Sequence, residues 1–303
     1  MLAIALLLAC SGPSTDPATA SPTGPSDTDD ASTDDTSTTH QPTDSTPASS
    51  TPTGDTSSTD TATTEADEPA RTVELFGPAP HPALTVRVHA RAGSEPTEAA
   101  LDLLRDALAD LQTSGHVVKP GGVLVERGTV GPAGTQAEYT FADLDAALDA
   151  VRGPYIVGDA AVVHVLYSDG RFDHGGPGTV LGFAYGGAHV VMMRDGIDDA
   201  CEGSAFDLLP GPLVNTACET LEAAVLLHEL GHLFGLVDNG LAMVEDHVDA
   251  EHGAHDIDED CLMYWAADTS DYASTLATRF LSGDTAVPGF DDACLADMAA
   301  ALP

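Results

Sequence analysis

The stretch "LLHELGHLFGLVDNG", Leu226–Gly240, sets two histidines and a glutamate inside an apolar run and ends it with Gly-x-x-Asp. Burying such groups unpaired costs several kcal/mol, so a helix that carries His228, Glu229 and His232 needs something to satisfy them. Residues four apart share a helical face, which lets His228 and His232 present ring nitrogens to one metal ion. Glu229 is turned about 100° round the helix, where it reaches a water on that ion rather than the ion itself. Zinc in such a site lowers the pKa of its water towards 7. The carboxylate takes the proton as the oxygen attacks a polarised carbonyl, then hands it to the leaving amine. The expected chemistry is hydrolysis with one catalytic zinc ion.

The residues after the helix supply a third ligand. Gly235 can take positive φ and end the helix abruptly, letting the chain swing Asp238 back towards the metal, and carboxylates suit zinc. The loop from Asn239 to Asp260 also holds His247, His252 and His255, each an alternative third ligand. Beyond it lies "CLMYW", Cys261–Trp265.

The pattern His228-Glu229-x-x-His232-x-x-Gly235-x-x-Asp238 resembles the metzincin metallopeptidase signature, whose last ligand is ordinarily histidine; aspartate there looks like the snapalysin variant. Metzincins carry a Met-turn beneath the metal, and the resemblance makes Met263 that methionine. "DCLMYW" after an acidic, histidine-bearing loop is also similar to bacterial lipoprotein relatives of the family. The resemblance implies an α/β (α+β) fold: a mixed twisted sheet with two backing helices, an active-site helix beneath an edge strand that lines the cleft, and a Met-turn subdomain. It also departs from the family: a tyrosine two residues after the methionine assists the oxyanion in several members, whereas here that place is Trp265 and Tyr264 comes directly after Met263. Tyr264 stays a candidate transition-state stabiliser with packing as its alternative.

The order of elements agrees with such a fold. "ALTVRVHA", Ala83–Ala90, alternates like a strand. "SEPTEAALDLLRDALADLQTSG" starts at Ser94 as N-cap and puts Leu101, Leu104, Leu108 and Leu111 on one helical face. "HVVKPGGVLVER" reads as a second strand interrupted by Pro120 and two glycines, "YTFADLDAALDAVRG" as a helix, and "AAVVHVLYSDG" as a buried strand. Gly178–Gly196 reads as two short strands around Gly186 and Gly187, with the edge strand expected in "AHVVMMRDG". A helix from Thr216 to about Phe234 then carries the motif. Strands alternating with helices in this way indicate one α/β domain with a mixed sheet.

The first residues belong to no domain. "MLAIALLLA" is far short of the roughly 20 apolar residues that span a bilayer and reads as a secretion signal; "LLAC" resembles a bacterial lipobox, which makes Cys10 the lipidated residue. From Ser11 to about Ala70 the chain has too little apolar surface to offset its ordering entropy, so it is expected to be a flexible tether, with the domain spanning 71–303. Twelve of the 49 acidic residues fall in that tether, leaving 37 against ten Lys and Arg, a net charge near −27. Nucleic-acid binding depends on Lys and Arg neutralising phosphates, so it is excluded as a role.

Four cysteines lie beyond Cys10, an even count that suggests two disulfides in an exported domain. Cys201 with Cys218 and Cys261 with Cys294 close the shorter loops. The acids Asp256, Asp258, Glu259 and Asp260 offer oxygens to calcium but form no EF-hand pattern, so solvated charge is the better reading. His164 and His189, in strands, are expected to pack or hydrogen-bond. The sequence reads as an exported zinc endopeptidase, a monomer acting on peptides or proteins and touching membrane only through its lipid. The alternatives are an envelope-anchored binding lipoprotein with a structural or silent zinc site, and a zinc hydrolase of a non-peptide amide.

Overall fold

A computed structural model describes residues 68–175 and 178–303; the signal, Cys10 and nearly all of the expected tether lie outside them. The chain runs α1 (Glu68–Phe76), β1 (Ala83–Arg91), α2 (Glu98–Thr113), β2 (Gly122–Gly131), β3 (Glu138–Tyr139), α3 (Phe141–Asp149), β4 (Ile156–Val157) and β5 (Ala160–Ser168). It continues with β6 (Arg171–Phe172), β7 (Gly182–Tyr185), β8 (His189–Met193), α4 (Arg194–Glu202), α5 (Gly211–Leu233), α6 (Tyr272–Ser282) and α7 (Asp292–Ala301). The main sheet has the order β2-β1-β5-β8-β7. Its pairings are parallel except β7 on β8 and the short β4 on β5, so the sheet is mixed, as expected.

Side-chain alternation along each strand divides the interior into two layers. Leu84, Val86 and Val88 of β1, Val163 and Val165 of β5, and Val190 and Met192 of β8 face Leu101, Leu104 and Leu108 of α2 and Leu221 and Val225 of α5. On the opposite face Leu166, Val191 and Met193 meet Leu144 and Leu148 of α3. His89 and His164 also occupy that second face, Nε2 to Nδ1 at 3.1 Å, in keeping with the packing role expected of His164.

Several boundaries differ from the sequence reading. Helix α1 opens at Glu68, within the expected tether. Thr97, not Ser94, caps α2, its hydroxyl accepting from the Ala100 amide at 3.1 Å; Pro96 drives its predecessor out of helical backbone, so the helix starts only after it. Strand β2 begins at Gly122 because Pro120 offers no N–H to a ladder and Gly122 has φ +93°. Helix α5 begins five residues early, its first turn accommodating Pro212 as first turns do. The edge strand is β7, not "AHVVMMRDG": β8 is paired on both sides, and its unbroken apolar run suits an interior strand.

Of the two expected disulfides one is formed: Cys201–Cys218 ties α4 to α5. Cys261 and Cys294 are neighbours but free buried thiols, their sulfurs 3.8 Å apart, too far for a bond, which corrects the second pairing. Helix α5 is further fixed by Glu222, 1 % exposed, which forms an ion pair with Arg194 of α4 and accepts from the Thr97 hydroxyl at 3.2 Å.

These burials set two expected outcomes. Glu222→Ala leaves the buried Arg194 with only the exposed Asp198, at 3.3 Å, as partner and is expected to cost about 3 kcal/mol in urea unfolding, with Glu222→Leu/Arg194→Met recovering most of it. Burial lowers the pKa values of His89 and His189 from 6.5 to about 4, so the fold favours their neutral forms. Their contribution is complete above pH 6.5 and is lost as pH falls from there towards 4; urea midpoints of His89→Asn/His189→Asn should vary less across that window than those of the parent.

Candidate metal centre

Helix α5 is apolar on every side where the motif lies, so its polar side chains are held away from water. His228 is fully buried, and its Nδ1 donates to the Leu262 carbonyl at 2.7 Å. A carbonyl only accepts, so the ring proton sits on Nδ1 and the Nε2 lone pair is left facing the site. One turn on, His232 brings its Nε2 to 3.1 Å from that atom. Two nitrogens about 2.0–2.1 Å from a tetrahedral zinc stand about 3.3 Å apart, so the pair is spaced as ligands of one ion.

The third imidazole is His255. One ring nitrogen from each of His228, His232 and His255 lies within 4.8 Å of the others. The His255 Nδ1 donates to the His252 carbonyl at 2.9 Å, while its buried Nε2 has no hydrogen-bond partner. Burial first, then mutual repulsion, depresses these groups: His228 falls to about 3 and His232 well below its usual value. Both rings therefore stay neutral with lone pairs free, the state a metal requires.

Asp238 is outside this group. Gly235 does end the helix: its N–H bonds to the His232 carbonyl at 3.0 Å and that of Leu236 to the Gly231 carbonyl at 3.1 Å, a Schellman ending. Val237 and Asp238 then both adopt left-handed backbone, φ 55° and 56°. The Val237 side chain goes inside, Asp238 is exposed, and Asn239 Nδ2 donates to the His232 carbonyl.

The other alternates are occupied elsewhere. His252 is stacked on Trp265, ring centroids 4.5 Å apart. His247 is buried with Nδ1 2.7 Å from Asp256 Oδ2 and Nε2 2.9 Å from Asp297 Oδ2. His247, Asp256, Asp291 and Cys294 form a second group with ligand-type atoms within 4.8 Å, but each His247 nitrogen is already taken by a carboxylate. Asp256 is fully buried, which corrects its reading as solvated charge; Asp258, Glu259 and Asp260 are exposed.

Glu229 is 1 % exposed, and neither carboxylate oxygen has a hydrogen-bond partner among the described residues. Burial, reinforced by the charge of Asp268, raises its pKa well above the ordinary carboxyl value. It opens onto a cleft of about 290 Å³ walled by Phe183, Ala184 and Tyr185 of β7 on one side and by His232, Asn239 and Asp268 on the other. Tyr264 does not line this cleft; it packs against the core beside Trp265. Sequence reasoning missed Asp268, the Leu262 carbonyl and the β7 wall. Only the last carried a signal, a short half-polar strand beside a Gly-Gly turn.

Met263 is fully buried beneath α5, where its sulfur lies against Gly231. No protein-family model matches this chain, and no curated protein is similar to it.

A Cβ at Gly231 would run into the Met263 sulfur and come within 2.9 Å of the Phe290 ring. Gly231→Ala is therefore expected to destabilise by about 1–3 kcal/mol through overpacking, read from urea midpoints. It should also weaken any metal held by the imidazole group, because the displaced turn carries the carbonyl that orients His228.

Proposed function

We propose that the chain is a zinc-dependent endopeptidase of metzincin type, exported and held at the cell envelope through Cys10. One observation carries the reading: three imidazoles with free ring nitrogens converge beside a buried, unpartnered carboxylate at the floor of an open cleft. His228, His232 and His255 would hold the ion, with His255 taking the place expected of Asp238. Zinc so bound supplies a water of near-neutral pKa and polarises a carbonyl.

The remaining steps belong to the chain's own groups. Glu229, whose pKa burial raises above the ordinary carboxyl value, takes the proton of the attacking water on a carboxylate oxygen and passes it to the leaving amine. Strand β7 stands at the sheet edge and forms one wall of the cleft. An extended peptide can add to such an edge by backbone hydrogen bonds, which favours peptides over other amides. Three ligands beside an open cleft also argue against a purely structural site, which ordinarily closes with four protein ligands.

The test pairs zinc content with casein cleavage by the full chain. The parent is expected to hold about one zinc and to lose cleavage to a chelator. Glu229→Gln should keep the zinc and lose about 10²–10⁴-fold in rate. His255→Ala should lose zinc while Asp238→Ala retains it. Undiminished cleavage by Glu229→Gln, or no zinc in the parent, would sink the proposal.

A further inference from the structure

Two of the three converging imidazoles ride on a rigid helix, whereas the third rides on a loop. Between Asn239 and Asp260 the described chain forms no helix or strand, and loops of this length hold one conformation only where something fixes them. Part of the fixing is local. The His255 carbonyl accepts from the Asp249 amide at 2.7 Å and that of His247 from Ile257 at 2.9 Å, so residues 247–257 fold back on themselves. The Asp256 amide donates to the Met263 carbonyl at 2.8 Å, which joins this fold to the turn below α5.

Anchorage to the C-terminal helix centres on one ring, beside a longer contact from the Cys294 thiol of α7 to Asp256 Oδ2 at 3.6 Å. His247 stands between Asp256, the neighbour of His255, and Asp297 of α7, at 2.7 and 2.9 Å. All three are buried, at 7, 0 and 1 % exposure. Asp297 uses its other oxygen to accept from the Val244 amide at 2.6 Å, tying down the loop's first half as well. Carboxylates at both nitrogens favour the doubly protonated ring, which can donate to each. Burial opposes that charge, but the bonds from Asp297 and Asp256 outweigh it. Neither carboxylate pairs with Lys or Arg among the described residues.

We propose that His247 is a positioning residue: clamped between Asp256 and Asp297, it locks the 239–260 loop to α7 and thereby places His255 opposite His228 and His232. The proposal rests on the zinc reading of that trio. Without the ring, two buried carboxylates lose their common donor, and the hairpin bearing His255 keeps only the weak Cys294 thiol contact to α7.

The experiment compares the full chain with His247→Gln and, from the other side of the clamp, the near-isosteric Asp297→Asn. Zinc affinity is read by competition with a chelating dye, and amide hydrogen exchange is read on the metal-free proteins. Both variants should bind zinc about 10-fold or more weakly and exchange faster across residues 244–260, with α5 unchanged. Leu276→Ala in α6, a core cavity away from the clamp, should lower stability and leave zinc affinity alone. Parental affinity and loop exchange in both variants would overturn the proposal, as would an equal affinity loss in Leu276→Ala. A second zinc equivalent in the parent that vanishes in His247→Gln would overturn it too, by making the clamp a metal site. If the parent binds no zinc, the metal reading fails, and loop exchange alone then upholds or overturns the clamp.

Discussion

Desolvation along helix α5 is the constraint on which the rest of the arrangement depends. His228, His232 and Glu229 lie in a segment whose other side chains, from Leu221 to Leu233, are almost all buried and apolar. Removed from water, each needs either a partner or a task. The helix ladder consumes its own backbone groups, so partners must come from outside. The Leu262 carbonyl serves His228, and the chain must return beneath α5 to deliver it. That return brings Met263 against Gly231, where only a residue without a side chain leaves room. On the sheet side, Gly182 does the same for Glu229: a Cβ there would sit 3.1 Å from its Oε1. Two glycines thus let a turn and an edge strand close on the helix where its three motif side chains lie.

The remaining imbalance is informative. Structures satisfy nearly all buried polar atoms, yet both Glu229 oxygens, beside the cleft, and His255 Nε2, within the imidazole group, make no hydrogen bond among the described residues. Atoms left so leave room for a group the chain itself does not supply. The second titratable cluster, around His247, differs in that carboxylates occupy both ring nitrogens, which is the signature of an internal tie. Burial alone does not separate the two sites; the presence or absence of unpartnered atoms does.

The same physics decides how much of this was legible in the sequence. Apolar periodicity marked β1, α2 and α3, each of which turns one face to a core, while unbroken apolar runs marked β5, β8 and α5, which are buried on every side. His228, Glu229 and His232 stood out because polar groups inside an apolar helix are anomalies that packing does not explain, whereas Met263, a buried core residue, was singled out by the family resemblance alone. The position of the third imidazole was not legible. Asp238 and His255 are equally able to ligate, and the choice was made by the left-handed backbone at Val237 and Asp238 and by contacts with α7, nearly 40 residues beyond His255. Helices α6 and α7 left little trace, since α7 is apolar almost throughout and shows no marked face. The capping of α2 at Thr97 turned on Pro96, a local rule that the serine two residues earlier obscured.

A site built from a stiff helix and a pinned loop couples metal binding to loop order. Any ligand that binds the ordered form and not the open one stabilises it in proportion to its occupancy, and metal-binding energy acquired in this way becomes folding energy. The helix contributes little to that coupling, because its two imidazoles are already set 3.1 Å apart by backbone geometry and the Leu262 carbonyl. The loop contributes nearly all of it. His255 arrives with its Nδ1 held by a backbone carbonyl of the same loop, so the ring cannot be oriented unless residues 252–256 are folded, and those residues are folded against Met263. The turn beneath the helix therefore serves two of the three imidazoles at once: through Leu262 it orients His228 directly, and through Met263 it supports the hairpin that carries His255. On the zinc reading, disturbance of that turn reaches two ligands of the ion through two separate hydrogen bonds, while His232, tied to the Asn239 side chain through its carbonyl, is reached by neither.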